Sequence, residues 1–332
     1  MRDYLDRLEP VLRGVTRAHV YCADPGAYAM LGLLEPMLRT AGIPGAFFVE
    51  GWAVTKADPR AVAFSREALR RSTQADGDGR GTDLLLLGAQ VDFGRTRQVL
   101  DFCRSLGIRT ALVFDHWKNF SEHFIGRSGD TGGAVLSDFI LLPDEAARTG
   151  LFSRFEAHPA LAGQLVPERA ILFGHPALDA SARAIRQTTP AEVQELRRGL
   201  DCGCGPLAAL LLDPVRMEDG YGYDVASLLE FLARWMPEQR PGTALLVKPH
   251  PRQEPPLTQD DLAPLTGRGV TARLCDCSFE PLVAAVDEVW GMTSLALIAA
   301  RKAGKPVVSF QPGRTEAGRE QSNLYLEECV IT

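Results

Sequence analysis

The chain has no apolar run approaching the roughly 18 residues that a membrane span needs. Residues Met1 to Val15 alternate charged with apolar side chains and lack the uninterrupted apolar stretch of a secretory leader. We therefore expect a cytoplasmic protein with no integral span, peripheral membrane attachment being left open. Positive charge is also short: 36 Lys and Arg stand against 42 Asp and Glu, a net charge of −6. This balance argues against a nucleic-acid partner and leaves room only for a local basic groove around one phosphorylated ligand.

Seven cysteines in 332 residues is an odd number in a chain long enough to fold without staples, so reduced thiols are expected. Two pairs, Cys202 with Cys204 and Cys275 with Cys277, have C-x-C spacing, shorter than the C-x₂₋₄-C knuckles of zinc sites. No metal and no cofactor are expected. The ends of the expected strands lack a G-x-G-x-x-G fingerprint, a Walker A loop and an H-E-x-x-H helix, which argues against dinucleotide, ATPase and metalloprotease readings.

What is present is a regular alternation. Short runs of Val, Leu, Ile and Phe, such as Asp83–Gly88 and Thr110–Phe114, are separated by amphipathic segments, the pattern of parallel strands linked by crossover helices. The length suits two domains. The expected class is α/β, two Rossmann-like doubly wound domains facing a central cleft: residues 1–185, a polar helical linker at 186–205, and residues 206–332. Ligands of such sheets bind beyond the carboxyl ends of strands, so chemistry is sought just after each apolar run.

Four segments qualify. Leu245-Leu-Val-Lys-Pro-His-Pro-Arg252 delivers Lys248, His250 and Arg252 into a loop that two prolines hold extended, a cationic rim suited to phosphate. Glu288-Val-Trp-Gly-Met-Thr-Ser294 runs into a helix whose first turn carries two hydroxyls, Thr293 and Ser294, with the helix dipole favouring an anion; the same residues also suit a plain N-cap. After Leu211-Leu-Asp213, Glu218 and Asp219 either cap the next helix or face the ligand, where one could remove a hydroxyl proton or hold a sugar hydroxyl. In the first half, Asp115, His116 and Trp117 follow a strand: Asp115 or His116 could act as a base and Trp117 could stack on a sugar, or all three brace the loop. Gly174-His175-Pro176 reads as a structural hinge.

Lys248-Pro-His-Pro251, then Thr293-Ser294, then Ala299-Ala-Arg-Lys-Ala-Gly-Lys-Pro-Val307 resemble, in order and spacing, the nucleotide-binding half of the glycosyltransferase-B superfamily. Within it, Glu218-Asp219-Gly220, His250-Pro251 and Thr293-Ser294 are similar to the motifs of bacterial sialyl- and polysialyltransferases, with Thr-Ser where that branch has Ser-Ser. The resemblance implies Asp219 as general base, His250 as a phosphate ligand of a CMP-sugar, and Thr293 and Ser294 as further phosphate contacts. Gly174-His-Pro176 also resembles a turn in lipid-A disaccharide synthase and, more loosely, in UDP-N-acetylglucosamine 2-epimerases. The superfamily implies metal-independent transfer of a sugar from a CMP-, CDP- or UDP-activated donor to a glycan or small-molecule acceptor, in surface-polysaccharide or glycoconjugate synthesis. An epimerase or hydrolase acting on a nucleotide-sugar, and a non-catalytic binding protein of the same fold, are the rival readings.

Overall fold

In the computed structural model, residues 2–56, 59–73, 82–90, 92–125, 134–200, 205–251 and 253–332 are described. The chain divides into two compact units, Met1–Ala177 and Leu178–Thr332. The first contains strands β1 (Val15–Cys22), β2 (Phe47–Val49), β3 (Val62–Ala63), β4 (Thr82–Gly88), β5 (Arg109–Val113), β6 (Phe139–Leu142) and β7 (Ala170–Leu172). The second contains β8 (Leu207–Leu211), β9 (Ala244–Lys248), β10 (Ala272–Leu274), β11 (Glu288–Gly291), β12 (Val307–Phe310) and β13 (Val330–Ile331).

Each unit is one parallel sheet, ordered β3-β2-β1-β4-β5-β6-β7 and β10-β9-β8-β11-β12-β13. The apolar runs explain this directly. Leu84 to Leu87 and Leu207 to Leu211 are buried, and a strand covered by helices on both faces has no polar side to offer water. The fold is thus α/β with two Rossmann-like domains. The two-residue edge strands β3 and β13 were not legible as strands, because so short a segment shows no periodicity.

Helix boundaries follow local chemistry. Asp144 caps Glu145–Ala157 through the N–H of Ala147 at 2.9 Å, and Pro25 opens Pro25–Thr40 at a position where its missing N–H costs nothing. The helices Pro176–Gln187 and Pro190–Leu200 are pinned to the second unit. Lys302 pairs with Asp179 at 2.9 Å, Arg186 donates to the Lys302 carbonyl at 2.6 Å, and Arg197 donates to the Ala285 carbonyl at 2.6 Å.

The core of the second unit is centred on Trp290, which is fully buried. Its ring lies edge-to-face with Trp235 (5.7 Å) and Phe310 (5.6 Å), which themselves meet at 5.0 Å. Its Nε1 donates to Glu288 at 3.0 Å. Trp290→Ala should therefore lower the unfolding free energy by about 3–5 kcal/mol in a denaturant titration, the range for emptying a packed aromatic site. A loss below about 1 kcal/mol would show that the triad does not organise this core.

Candidate functional site

In each sheet the strand order reverses once, between β1 and β4 and between β8 and β11. Open parallel sheets bind ligands beyond the carboxyl ends of strands at such a reversal. The sequence-predicted residues lie at these edges.

In the second unit, the loops after β8, β9 and β11 carry them. Lys248 ends β9 and is half-buried, with Nζ donating to the Cys277 carbonyl at 2.7 Å. That bond uses one of its three donors. His250 is half-buried, and its carbonyl closes a turn by accepting from the Gln253 N–H at 2.9 Å. Arg252 lies outside the described residues, as do Cys202 and Cys204. Beneath this loop, the Leu212 N–H donates to the Lys248 carbonyl at 3.1 Å, tying the end of β9 to the start of the loop after β8. Pro214, Arg216 and Asp219 from one loop, with Gln253 and Glu254 from the other, line a cavity of about 290 Å³. Gln253 Oε1 is buried and has no hydrogen-bond partner among the described residues.

Two expectations change here. Glu218 and Asp219 are exposed, and Asp219 caps only the short turn Met217–Asp219, accepting from the Arg216 N–H at 2.8 Å. The next helix, Val225–Gln239, takes its cap from Asp224, which accepts from the Ser227 N–H at 2.8 Å. The second change concerns Thr293. Its N–H (2.7 Å) and hydroxyl (3.1 Å) both donate to Asp213 Oδ2, so a carboxylate already occupies the seat expected for phosphate. A second anion there would meet like charge. Ser294 caps the helix Leu295–Lys302, its hydroxyl accepting from the Ala296 N–H at 3.3 Å.

The cationic turn and the hydroxyl-bearing turn do not come from adjacent strands: β8 runs between β9 and β11. Parallel alignment still brings both to one edge, and two strand spacings put them roughly 10 Å apart. Asp213, 9 % exposed, stands between them at the end of β8. Burial and the Asp213 charge hold the phenol of Tyr223 above its ordinary range, and its buried hydroxyl has no partner among the described residues. Asp213 and Tyr223 were not singled out from the sequence. For Asp213 the available signal was its position, the first charged residue after an apolar strand.

In the first unit, Asp115 and His116 form a close pair beyond β5. His116 Nδ1 donates to Asp115 Oδ1 at 2.5 Å, and His175 Nε2 donates to the Asp115 carbonyl at 3.0 Å. Burial by itself raises the Asp115 carboxyl; the His116 hydrogen bond and the charges of His116 and His175 outweigh it, leaving the group below its ordinary range and ionised. The carboxylate fits because residue 26 is glycine: a Cβ there would lie 2.4 Å from Asp115 Oδ2. Trp117 is 2 % exposed, stacked with His175 at 6.1 Å and donating to Asp144 at 2.8 Å. Of the two expected roles it takes the bracing one, its ring being covered and not open to a sugar. His123 follows in the same segment and was given no role from the sequence. It is fully buried against Phe93 (4.7 Å) and Phe114 (5.1 Å), 5.8 Å from the His116 ring.

The fold is glycosyltransferase-B-like. The chain is similar to the UDP-GlcNAc 2-epimerase of Neisseria meningitidis bound to UDP-GlcNAc, with 11 % identity, a TM-score of 0.59, and coverage of 95 % of this chain and 87 % of that one. It is also similar to the UDP-GlcNAc 2-epimerase of Methanocaldococcus jannaschii, with 12 % identity, a TM-score of 0.61, and coverage of 95 % and 88 %. The wall teichoic acid polymerase TagF gives 13 % identity, a TM-score of 0.50, and coverage of 93 % and 78 %. At these identities the likeness is one of fold. No protein-family model and no curated protein sequence matches the chain.

Two outcomes are expected. Gly26→Ala should push the Asp115 carboxylate away from His116, seen as a changed His116 imidazole resonance by NMR; an unaltered resonance would show that the crowding is relieved elsewhere. His123 and His19 are both held below the ordinary imidazole range, chiefly by burial. Below about pH 6.5 the unfolded chain takes up their protons first, so stability is complete above that pH and is lost as pH falls toward the folded values. The loss should be at most about 1.4 kcal/mol per pH unit for each histidine. His123→Leu should flatten the measured pH profile, and an unchanged slope would assign the loss to other groups.

Proposed function

We propose that this protein is a nucleotide-sugar enzyme, and specifically a glycosyltransferase that moves a sugar from a CMP-, CDP- or UDP-activated donor to a glycan or small-molecule acceptor. The observation that carries the reading is the carboxyl edge of the second sheet. There Lys248 and His250 project from one loop, tied by the Leu212 N–H bond to the neighbouring loop at a strand-order reversal. Lys248 and His250 hold the donor phosphates, and the Lys248 charge with the donor of His250 stabilises the negative charge that develops as the glycosidic bond breaks. Ser294 and the helix turn that it opens add neutral donors. Asp213, already bound to Thr293, is better suited to accept from ribose or sugar hydroxyls than to meet phosphate.

Within the first unit, the side chain best suited to accept a proton is His116. Asp115 accepts a hydrogen bond from Nδ1–H, which fixes the proton there and leaves Nε2 as the basic atom of a ring that is still 19 % exposed. Asp115 itself is buried and ionised by its partner, which makes it a positioning group, while Asp219 is engaged in capping its own turn. A second reading, epimerisation of a UDP-sugar, comes from the UDP-GlcNAc 2-epimerases that share this fold.

Thermal-shift and calorimetric titration with CMP, CDP, UDP, GDP and their sugars tests the proposal, since a ligand that binds only the folded chain raises its melting temperature. His250→Ala should weaken the preferred nucleotide at least about tenfold. His116→Ala should lower turnover by about 10²–10⁴ with nucleotide affinity unchanged. No stabilisation by any nucleotide, or a His250→Ala variant that binds as the parent does, would overturn the reading. Turnover of a UDP-sugar without acceptor would instead favour the epimerase.

A further inference from the structure

We propose that the first unit carries a separate binding site for a small phosphorylated anion, at the amino-terminal edge of its sheet. This is the edge opposite Asp115 and His116, which follow the carboxyl end of β5. A cavity of about 460 Å³ opens there, within the range of small-ligand pockets. Its walls are the starts of β5 and β6, the residue before β7, and the end of the helix Phe93–Ser105.

Three guanidinium groups line it: Arg104, Arg109 and Arg169. The one carboxylate in the lining, Asp138, is turned into the wall, where it accepts from the Thr110 N–H at 2.7 Å and the Thr110 hydroxyl at 3.0 Å. Arg109 is held rigidly. It donates to the carbonyls of Arg13 and Val11, each at 3.0 Å, and lies over the Phe139 ring at 5.2 Å, so its charge is buttressed and no carboxylate pairs with it among the described residues. Arg104 has a loose 3.3 Å pair with Asp101, both side chains being more than half exposed. Arg169 is exposed and makes no ion pair among the described residues. In a chain of net charge −6, a concavity with three guanidinium groups and one engaged carboxylate is a local reversal of sign. Guanidinium forks pair with phosphate oxygens two at a time, and the polar Gln164 side chain completes a lining suited to a phosphate ester and its hydroxyls.

Pyrophosphate titration of the full chain by calorimetry tests this independently of the donor site. In a Lys248→Ala/His250→Ala variant, pyrophosphate binding should persist. Adding Arg104→Gln and Arg169→Gln should weaken that residual binding about tenfold or more, and so should raising the salt concentration. Both arginines are exposed, and an unchanged melting temperature checks that the fold survives. No residual binding in the first variant, or residual binding indifferent to the arginine changes, would overturn the second site while leaving the donor proposal to its own test.

Discussion

The parallel direction of every strand is the constraint from which the candidate chemistry follows. When all strands of a sheet run the same way, every post-strand loop in a unit emerges on one edge, and residues far apart in the chain become neighbours without any motif to announce it. Asp213 and Thr293 are 80 positions apart and share two hydrogen bonds because β8 and β11 are paired. The same rule puts Lys248 and His250 beside them. It also sends the starts of β5, β6 and β7 to the other edge, where the arginine-lined cavity lies.

The first unit shows how a buried carboxylate is kept charged. Asp115 loses water, and the adjacent imidazoles, a hydrogen bond of 2.5 Å and one from its own backbone N–H compensate for that loss. The arrangement works because nothing larger than glycine stands at position 26 and because Trp117 and His175 lock the loop from behind. His123 completes the cluster at a cost: a neutral imidazole buried with neither ring nitrogen paired among the described residues. That cost links the stability of the unit to pH in the direction opposite to a salt-bridged histidine.

Much of the site was legible at the level of segments and less so at the level of atoms. Lys248 and His250 were singled out because two prolines and a preceding buried strand constrain where their side chains can go. Thr293 was assigned to phosphate for a sound local reason, the free donors of a helix start, and the reason failed because a carboxylate from another strand reached them first. Trp117 was left open between stacking on a sugar and bracing its loop, and Asp144, 27 residues later, supplies the partner that favours bracing. Asp219 and Asp224 illustrate the same limit: both are acidic residues near a helix start, and the reciprocal hydrogen bonds with Ser227 select Asp224 as its cap.

Sequence by itself determined the layered architecture. Apolar runs of strand length alternating with amphipathic helices have only one economical burial, a parallel sheet covered on both faces, and that information is local and periodic. Tertiary structure decided which donors meet which acceptors, which edge each charge occupies, and which aromatic ring is sealed away. Those outcomes depend on strand order and on contacts across tens of residues, where the chain offers no periodicity to read and a single neighbouring carboxylate can reverse the role of a hydroxyl.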